Sequence, residues 1–96
     1  MKKFILLYCG SVEPTKDTME GWTKWFGVLG NRVVDSGNPF GEGKEYSKDG
    51  IKALPQGVDA LSGYTLINAE SMEEVENLVK ECPIVTSVRI YEALPM

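Results

Sequence analysis

Residues 63–79, GYTLINAESMEEVENLV, change from a strand pattern to a helix pattern within a few positions. Over 63–69 apolar residues lie on both faces of an extended chain, which is typical of a strand covered on two sides. The Ser-Met-Glu-Glu motif that follows is a capping box, with Ser71 as the N-cap and Glu74 reaching back to it. This stretch therefore predicts a strand followed by a helix that ends before Pro83.

Further strands are predicted on both sides of this stretch from runs of β-forming residues between turn signals. Residues 3–9, KFILLYC, and residues 87–93 lie near the two ends of the sequence, and residues 32–36 form a short strand between them. A hairpin is predicted over 44–54, because an Asp-Gly pair stands at its centre.

A first helix is predicted over residues 15–29, with either Thr15 or Asp17 as its N-cap. Gly21 and Gly27 lie inside it and weaken it by roughly 1 kcal/mol each relative to alanine. Helical spacing defines its apolar face, with Trp25 beside it. The members of that face are Met19, Trp22, Phe26 and Leu29.

The order of elements is β-α-β-hairpin-β-α-β in a single domain of 96 residues. It predicts an α+β fold of the ferredoxin-like type, βαββαβ with an extra hairpin and with two helices on one face of an antiparallel sheet. The strands over 3–9 and 63–69 are apolar on both faces, although two helices can cover only one. We therefore expect the second face to pack against the same face of another copy, in a two-fold homodimer.

Composition argues against several classes of partner and cofactor. Ten basic and fourteen acidic residues give a net charge of −4 without a Lys/Arg run, so neither nucleic acid nor a membrane surface is an expected partner. The apolar run over 4–9 is shorter than a secretory signal or a membrane span requires, and we expect a cytoplasmic protein. Cys9 and Cys82 are expected as buried packing residues rather than as a disulfide or zinc ligands. The sequence has no histidine, the commonest general base and transition-metal ligand, so no metal or cofactor is expected.

Asp35 is the candidate catalytic residue, because it ends a strand and precedes a glycine-rich turn. Its carboxylate is either a general base in a partly apolar pocket or the acceptor of a turn hydrogen bond from the backbone of residue 37. Ser36 and Gly37 are predicted to border the same ligand pocket. The glycines over 37–43 are not a phosphate cradle, since they match neither a GxGxxG turn before a helix nor a Gly-Lys-Ser/Thr loop.

Aromatic side chains are the other candidates for ligand binding. Their flat faces and polar tips suit the wall of a small-molecule pocket, whereas the alternative is a purely structural place in the core. The four candidates are Tyr8, Trp22, Trp25 and Tyr64.

Several segments resemble, in chain order, the YCII-related (DGPF-type) family. They are MKKFILLYCG (1–10), EPTKDTMEGWTKWFGVLGN (13–31), RVVDSGNPFGEG (32–43) and LSGYTLINAESMEEVENLVKECP (61–83). The most specific matches are the Gly-Tyr strand leading into AESMEEV and a Trp-containing helix followed by a turn similar to "SGGPL". The resemblance implies a dimeric α+β barrel in which two sheets face each other, with a small cavity between the sheet and the helices of each subunit.

This chain departs from the family at two positions. The Asp-Gly-Pro-Phe motif is missing near residues 51–54, and Glu20 lies near the place of a first-helix histidine. The His-Asp mechanism of the lactone-type, halide-eliminating members therefore does not carry over. Two functions follow: binding of a small organic molecule in the cavity, or a cofactor-free lyase or isomerase acting on a lactone-like or cyclic substrate with Asp35 as general base.

Overall fold

The computed structural model describes residues 1–10, 15–57 and 59–96, and within them the expected α+β class is confirmed. A four-stranded antiparallel sheet is accompanied by two helices and a separate two-stranded hairpin. The strands are β1 (Lys2–Cys9), β2 (Val33–Asp35), β3 (Gly43–Ser47), β4 (Gly50–Leu54), β5 (Leu61–Ala69) and β6 (Ser87–Ala93). The helices are α1 (Lys16–Leu29) and α2 (Met72–Leu78), each continued by one 3-10 turn.

The sheet has the order β2-β5-β1-β6, and the hairpin pairs β3 with β4 around the predicted Asp-Gly turn. The register aligns Leu7 of β1 with Tyr64 of β5 on one side and with Arg89 of β6 on the other. The next row on the same face aligns Ile5 with Leu66 and with Tyr91. These two rows cross the side of the sheet that faces away from the helices.

The core lies between the sheet and the helices. Phe4 and Leu6 of β1 and Ile67 of β5 are fully buried there against Trp25 and Leu29 of α1. Val75 of α2 is fully buried in the same cluster. The cluster explains why the strands alternate between buried and partly buried residues along their length.

The predicted apolar face of α1 is wrong at Met19, whose side chain is 62% exposed. Trp25 stands at the centre of the buried stripe, and Met19 precedes it by six residues. At 3.6 residues per turn that spacing rotates Met19 by about 120° around the helix, away from the sheet. Trp22, Phe26 and Leu29 remain on the buried side as expected.

The caps of both helices are built from the chain's own side chains. Thr15 is the N-cap of α1 and forms a reciprocal capping box with Thr18, which decides between the two predicted caps. Ser71 caps α2 by accepting from the backbone N–H of Glu74 at 3.2 Å. Among the described residues no helix is long and apolar enough to cross a membrane.

The second half of the α2 capping box differs from the prediction. The Glu74 carboxylate accepts from the backbone N–H of Glu70 rather than that of Ser71, and its other oxygen accepts from the Arg32 guanidinium at 2.9 Å. The hydrogen bond from Arg32, followed by that from Glu70, holds the pKa of the Glu74 carboxyl below its ordinary value. This contact ties the start of α2 to the turn that precedes β2.

The side of the sheet opposite the helices is termed the open face. It carries Ile5, Leu7, Tyr64, Leu66, Arg89 and Tyr91. The helices leave this side uncovered in the single chain, and Tyr91 is 57% exposed. It is therefore a partly apolar surface with the cation of Arg89 at one edge.

Candidate functional site

The seven predicted site residues lie on two different sides of the sheet. Tyr8 and the two tryptophans face the helices, and Tyr8 belongs to the same buried row as Leu6. Asp35 and Tyr64 meet on the open face. Ser36 and Gly37 form the turn at the edge of the sheet between these two groups.

A chain of hydrogen bonds, termed the polar chain, runs through the core on the helix side. The Trp25 indole N–H donates to the Tyr8 hydroxyl at 3.0 Å, and that hydroxyl donates to Thr65 Oγ1 at 2.8 Å. Thr65 in turn donates to the carbonyl of Ser36 at 3.0 Å. The polar chain thus joins α1, β1 and β5 to the turn beside Asp35.

The partners in the polar chain satisfy the polar tips of Tyr8 and Trp25. Burial raises the pKa of the Tyr8 phenol, so that the hydroxyl stays protonated and donates to Thr65. Within the described residues no buried side-chain nitrogen or oxygen lacks a hydrogen-bond partner. Tyr8 and Trp25 therefore occupy the structural place in the core that was the alternative to ligand binding, and their polar atoms bond to each other.

Trp22 packs beside the polar chain. Its ring meets Tyr8 edge-on, with ring centroids 4.8 Å apart and an interplanar angle of 84°. It also lies 6.3 Å from the Phe26 ring. Aromatic side chains therefore fill the space between β1 and α1, where a cavity is expected from the family resemblance.

Asp35 ends β2 with an exposed carboxylate that has two hydrogen-bond donors. The backbone N–H of Gly37 donates to Oδ1 at 2.8 Å, which is the turn bond predicted as one alternative. The Tyr64 hydroxyl donates to Oδ2 at 3.2 Å. Both contacts fix the carboxylate and leave its remaining lone pairs directed at solvent.

Gly37 must be glycine for two reasons. Its φ of +80° lies in the left-handed region that favours glycine. A Cβ atom at this position would also overlap the carbonyl oxygen of Tyr64. The turn can therefore lie directly against the β5 backbone, which brings Asp35 close to the Tyr64 side chain.

Phe40 is a member of this site that the sequence analysis missed. Its ring stacks on the Tyr64 ring with a centroid distance of 5.8 Å and an interplanar angle of 21°. Its backbone N–H donates to the carbonyl of Ser62 at 2.8 Å, and its side chain is 41% exposed. An aromatic residue after Asn-Pro in the glycine-rich turn was the available signal. Asp35, Gly37, Phe40 and Tyr64 together are termed the Asp35 corner.

The electrostatic surroundings of the corner are simple. Arg89 lies on the same face, one strand beyond Leu7 as seen from Tyr64. Two acidic residues are held by other cations, Glu45 by Lys52 at 3.5 Å and Glu92 by Lys2 at 4.0 Å. Arg89 therefore forms no ion pair with a carboxylate in the described part of the chain.

The two cysteines are poor candidates for nucleophiles, and the acidic residues are poor candidates for metal ligands. Cys9 and Cys82 are buried free thiols, as predicted, and burial raises the pKa of Cys82 to about 12. A thiol with that pKa is a poor nucleophile at neutral pH. Over residues 1–10, 15–57 and 59–96 no group of three or more Cys, Asp or Glu side chains is arranged to hold a metal ion.

Two shallow surface grooves lie on the helix side, away from the corner. One follows the outer face of α1 past Glu20, and the other lies between Gly27 of α1 and Pro83. The grooves contain none of the seven predicted site residues. The exposed Asp35 corner is therefore the site at which predicted residues come together.

Comparison with known proteins adds no assignment to this geometry. No family model matches the chain, and no curated protein matches it either. The resemblance to the YCII-related family stays a prediction made from the quoted segments.

Proposed function

We propose that this chain is a YCII-related protein of ferredoxin-like fold, which forms a homodimer through its open face and binds a small organic molecule at the Asp35 corner. The observation that carries the proposal is the corner itself. An exposed carboxylate is held by Gly37 and Tyr64 beside two stacked aromatic rings. An acceptor held in place beside two aromatic rings offers a polar and an apolar contact to a small ring-shaped ligand.

The strand connections support the proposed fold. The two central strands, β1 and β5, each lead into a helix, and the edge strands β2 and β6 follow those helices. The two strands of each βαβ unit are therefore separated in the sheet by one strand of the other unit. A split βαβ arrangement of this kind supports a ferredoxin-like fold.

The surface area of the chain supports the proposed homodimer. The single chain exposes 7007 Å², about 1,500 Å² more than the roughly 5,500 Å² of a compact monomer of 10.6 kDa. An interface of standard size covers about 800 Å² on each partner. The excess area is thus large enough for one such interface, and the apolar rows of the open face offer the surface for it.

The chemistry of the corner indicates the class of ligand. Carboxylate oxygens accept hydrogen bonds, so the ligand needs an N–H donor to meet Asp35. The Phe40–Tyr64 stack favours a flat ring next to that donor. We therefore propose a ring-shaped amide or amidine as the ligand class. The free buried thiols Cys9 and Cys82 support the cytoplasmic location that we also propose.

The hydrogen bonds of Asp35 support binding over catalysis as the first function. Both oxygens already accept a hydrogen bond, so the carboxylate is held in one orientation as an acceptor, as a binding role requires. The alternative is a cofactor-free lyase or isomerase that acts on a lactone-like substrate, with Asp35 removing a proton and Tyr64 supporting the charge. Loss of turnover in Asp35→Asn would favour that alternative.

A thermal-shift experiment tests the binding proposal with three probes: benzamide, benzamidine and benzoate. We expect the first two to raise the Tm of the native chain and to have less effect on Asp35→Asn, which loses the carboxylate charge, while benzoate, whose negative charge is repelled by Asp35, does not raise the Tm of the native chain. Asp49→Asn, an exposed acid in the hairpin turn, is the matched control and should respond as the native chain does. Equal shifts in Asp35→Asn and the native chain would overturn the proposed site. A monomeric mass in light scattering at micromolar concentration would overturn the homodimer.

A further inference from the structure

We infer that Arg89 of one copy forms an ion pair with Asp35 of the second copy, across a two-fold axis that runs parallel to the strands. Each Asp35 carboxylate would then accept from a guanidinium of the other subunit with one of its remaining lone pairs and keep another for the ligand. The inference rests on the proposed homodimer and names the contact that would determine its geometry.

Arg89 and Asp35 occupy opposite edges of the same open face. Arg89 is on β6 and Asp35 ends β2, with β1 and β5 between them. Three strand spacings of about 4.8 Å separate the two edges by about 14 Å. This distance is too long for a pair within one chain, so each open face has an unpaired cation at one edge and an anion at the other.

The register also places these charges within one row of each other along the strands, because Asp35 is aligned with Leu66, two residues from Tyr64. Arg89 is aligned with Leu7, and Leu7 is aligned with Tyr64. The Tyr64 hydroxyl is the group that holds the Asp35 carboxylate at 3.2 Å. Asp35 and Arg89 therefore lie in neighbouring rows of the open face, and the Asp35 carboxylate is joined to the row of Arg89 through the Tyr64 hydroxyl.

A face-to-face dimer has two simple ways to place the open face on itself. An axis parallel to the strands lays β6 of one copy over β2 of the other and keeps positions along the strands, so Arg89 comes within one row of Asp35 twice. An axis perpendicular to the strands lays β6 over β6 and brings the two cation-bearing edges together. Packed sheets are about 10 Å apart, which an arginine and an aspartate side chain can span together. Charge complementarity thus selects the first arrangement.

Dimerisation through the open face would bury the charges of Arg89 and Asp35, and this burial is why the ion pair matters for the stability of the dimer. A charge moved into an interface without a partner is costly, and Arg89 has no carboxylate partner in the described part of its own chain. Asp35 is met there by neutral donors, from Gly37 and Tyr64. Reciprocal pairing satisfies both charges, and it places the donor of one copy beside the acceptor and the aromatic stack of the other.

A charge-reversal cycle tests the inference. Dimer dissociation constants are measured by sedimentation for the native chain, Asp35→Arg, Arg89→Asp and the double variant. We expect each single reversal to weaken the dimer roughly tenfold or more, because like charges then face each other, and the double variant to recover most of that loss. Lys24→Glu, a charge reversal on the exposed side of α1, is the control and should leave the dissociation constant unchanged.

A second cycle covers the case in which Asp35→Arg disturbs the turn and fails to fold. Asp35→Asn keeps an oxygen for the Gly37 N–H, and Arg89→Gln removes the cation without reversing it. We expect the double variant to bind no more weakly than either single variant. Purely additive losses in the cycle would overturn the ion pair while the dimer stands, whereas a monomeric native chain would overturn both.

Discussion

The Tyr64 hydroxyl donates a hydrogen bond to Asp35 Oδ2 at 3.2 Å, joining residues from two paired strands on one side of the sheet. The bond gives Asp35 a fixed orientation without burying it. Removing it separates the effect of orientation from the effect of charge, since Tyr64→Phe leaves the carboxylate and the aromatic stack in place.

Tyr64→Phe is expected to lower stability by about 1 kcal/mol or less, because a single exposed hydrogen bond is lost. Binding of benzamide should weaken several-fold, because the carboxylate is no longer held in place. Denaturant unfolding and isothermal titration measure the two effects. Tyr46→Phe, whose side chain is 82% exposed on the hairpin, is the control and should change neither quantity. Unchanged affinity in Tyr64→Phe would show that the bond does not position Asp35.

Gly37→Ala is expected to destabilise the fold by about 2 kcal/mol or more. The substitution forces a positive φ on alanine and drives its Cβ into the Tyr64 carbonyl oxygen. Gly41→Ala is the matched control, because it lies in the same turn region and nothing lies within 4 Å of the added atom. Urea unfolding compares the two. Equal stability of both variants would mean that the turn relaxes without cost.

Periodic features of this molecule could be predicted from the sequence, and they depend on near neighbours in the chain. The strand and helix within residues 63–78, the start of α1 at one of two candidate caps and the hairpin all follow from local spacing and turn chemistry. The buried state of the two cysteines followed from their residue type. Such patterns need no knowledge of which strands pair.

The site could not be assembled in that way, because it depends on register between distant strands. Tyr8 and Tyr64 were both candidates for one pocket, yet β1 aligns Leu7, and not Tyr8, with Tyr64. A shift of one residue would have placed both rings on the same side of the sheet. The stacking of Phe40 on Tyr64 likewise depends on where the turn after β2 meets β5. The sequence contains both rings but not the register that joins them.

The polar chain predicts a larger loss for a buried hydroxyl than for an exposed one. Tyr8→Phe removes the acceptor of the Trp25 indole and the donor to Thr65, and it leaves the indole N–H unsatisfied in the core. We expect a loss of about 1–3 kcal/mol in the free energy of unfolding. Because the polar chain ends at the Ser36 carbonyl, Tyr8→Phe should also loosen the Ser36 turn and weaken ligand binding at the Asp35 corner. Stability within error of the native chain would indicate that a water replaces the hydroxyl.

Gly27→Ala is expected to stabilise the protein. Gly27 is an exposed position inside α1, and an added Cβ meets nothing within 4 Å. Alanine favours the helix over glycine by about 1 kcal/mol, which corresponds to a Tm increase of roughly 4–8 °C for a domain of this size. Gly21→Ala tests the same propensity where the added atom contacts Pro83 Cβ at 3.6 Å. A lower Tm for Gly27→Ala, measured by thermal unfolding, would contradict the prediction.

The Arg32–Glu74 pair predicts a loss of stability on the acid side. The hydrogen bond from Arg32 lowers the pKa of the folded-state Glu74 below its ordinary value of 4.5, so the unfolded chain takes up a proton first as pH falls. The contribution of Glu74 is therefore complete above pH 4.5 and disappears as the pH falls through the lower folded-state value. Glu74→Gln should remove this part of the pH dependence, and stability curves from pH 7 to pH 3 should run flatter for the variant. Glu73→Gln, a neighbour in the same first turn of α2, is the control. If the stability curve of Glu74→Gln has the same slope as that of the native chain, the acid sensitivity belongs to other carboxylates.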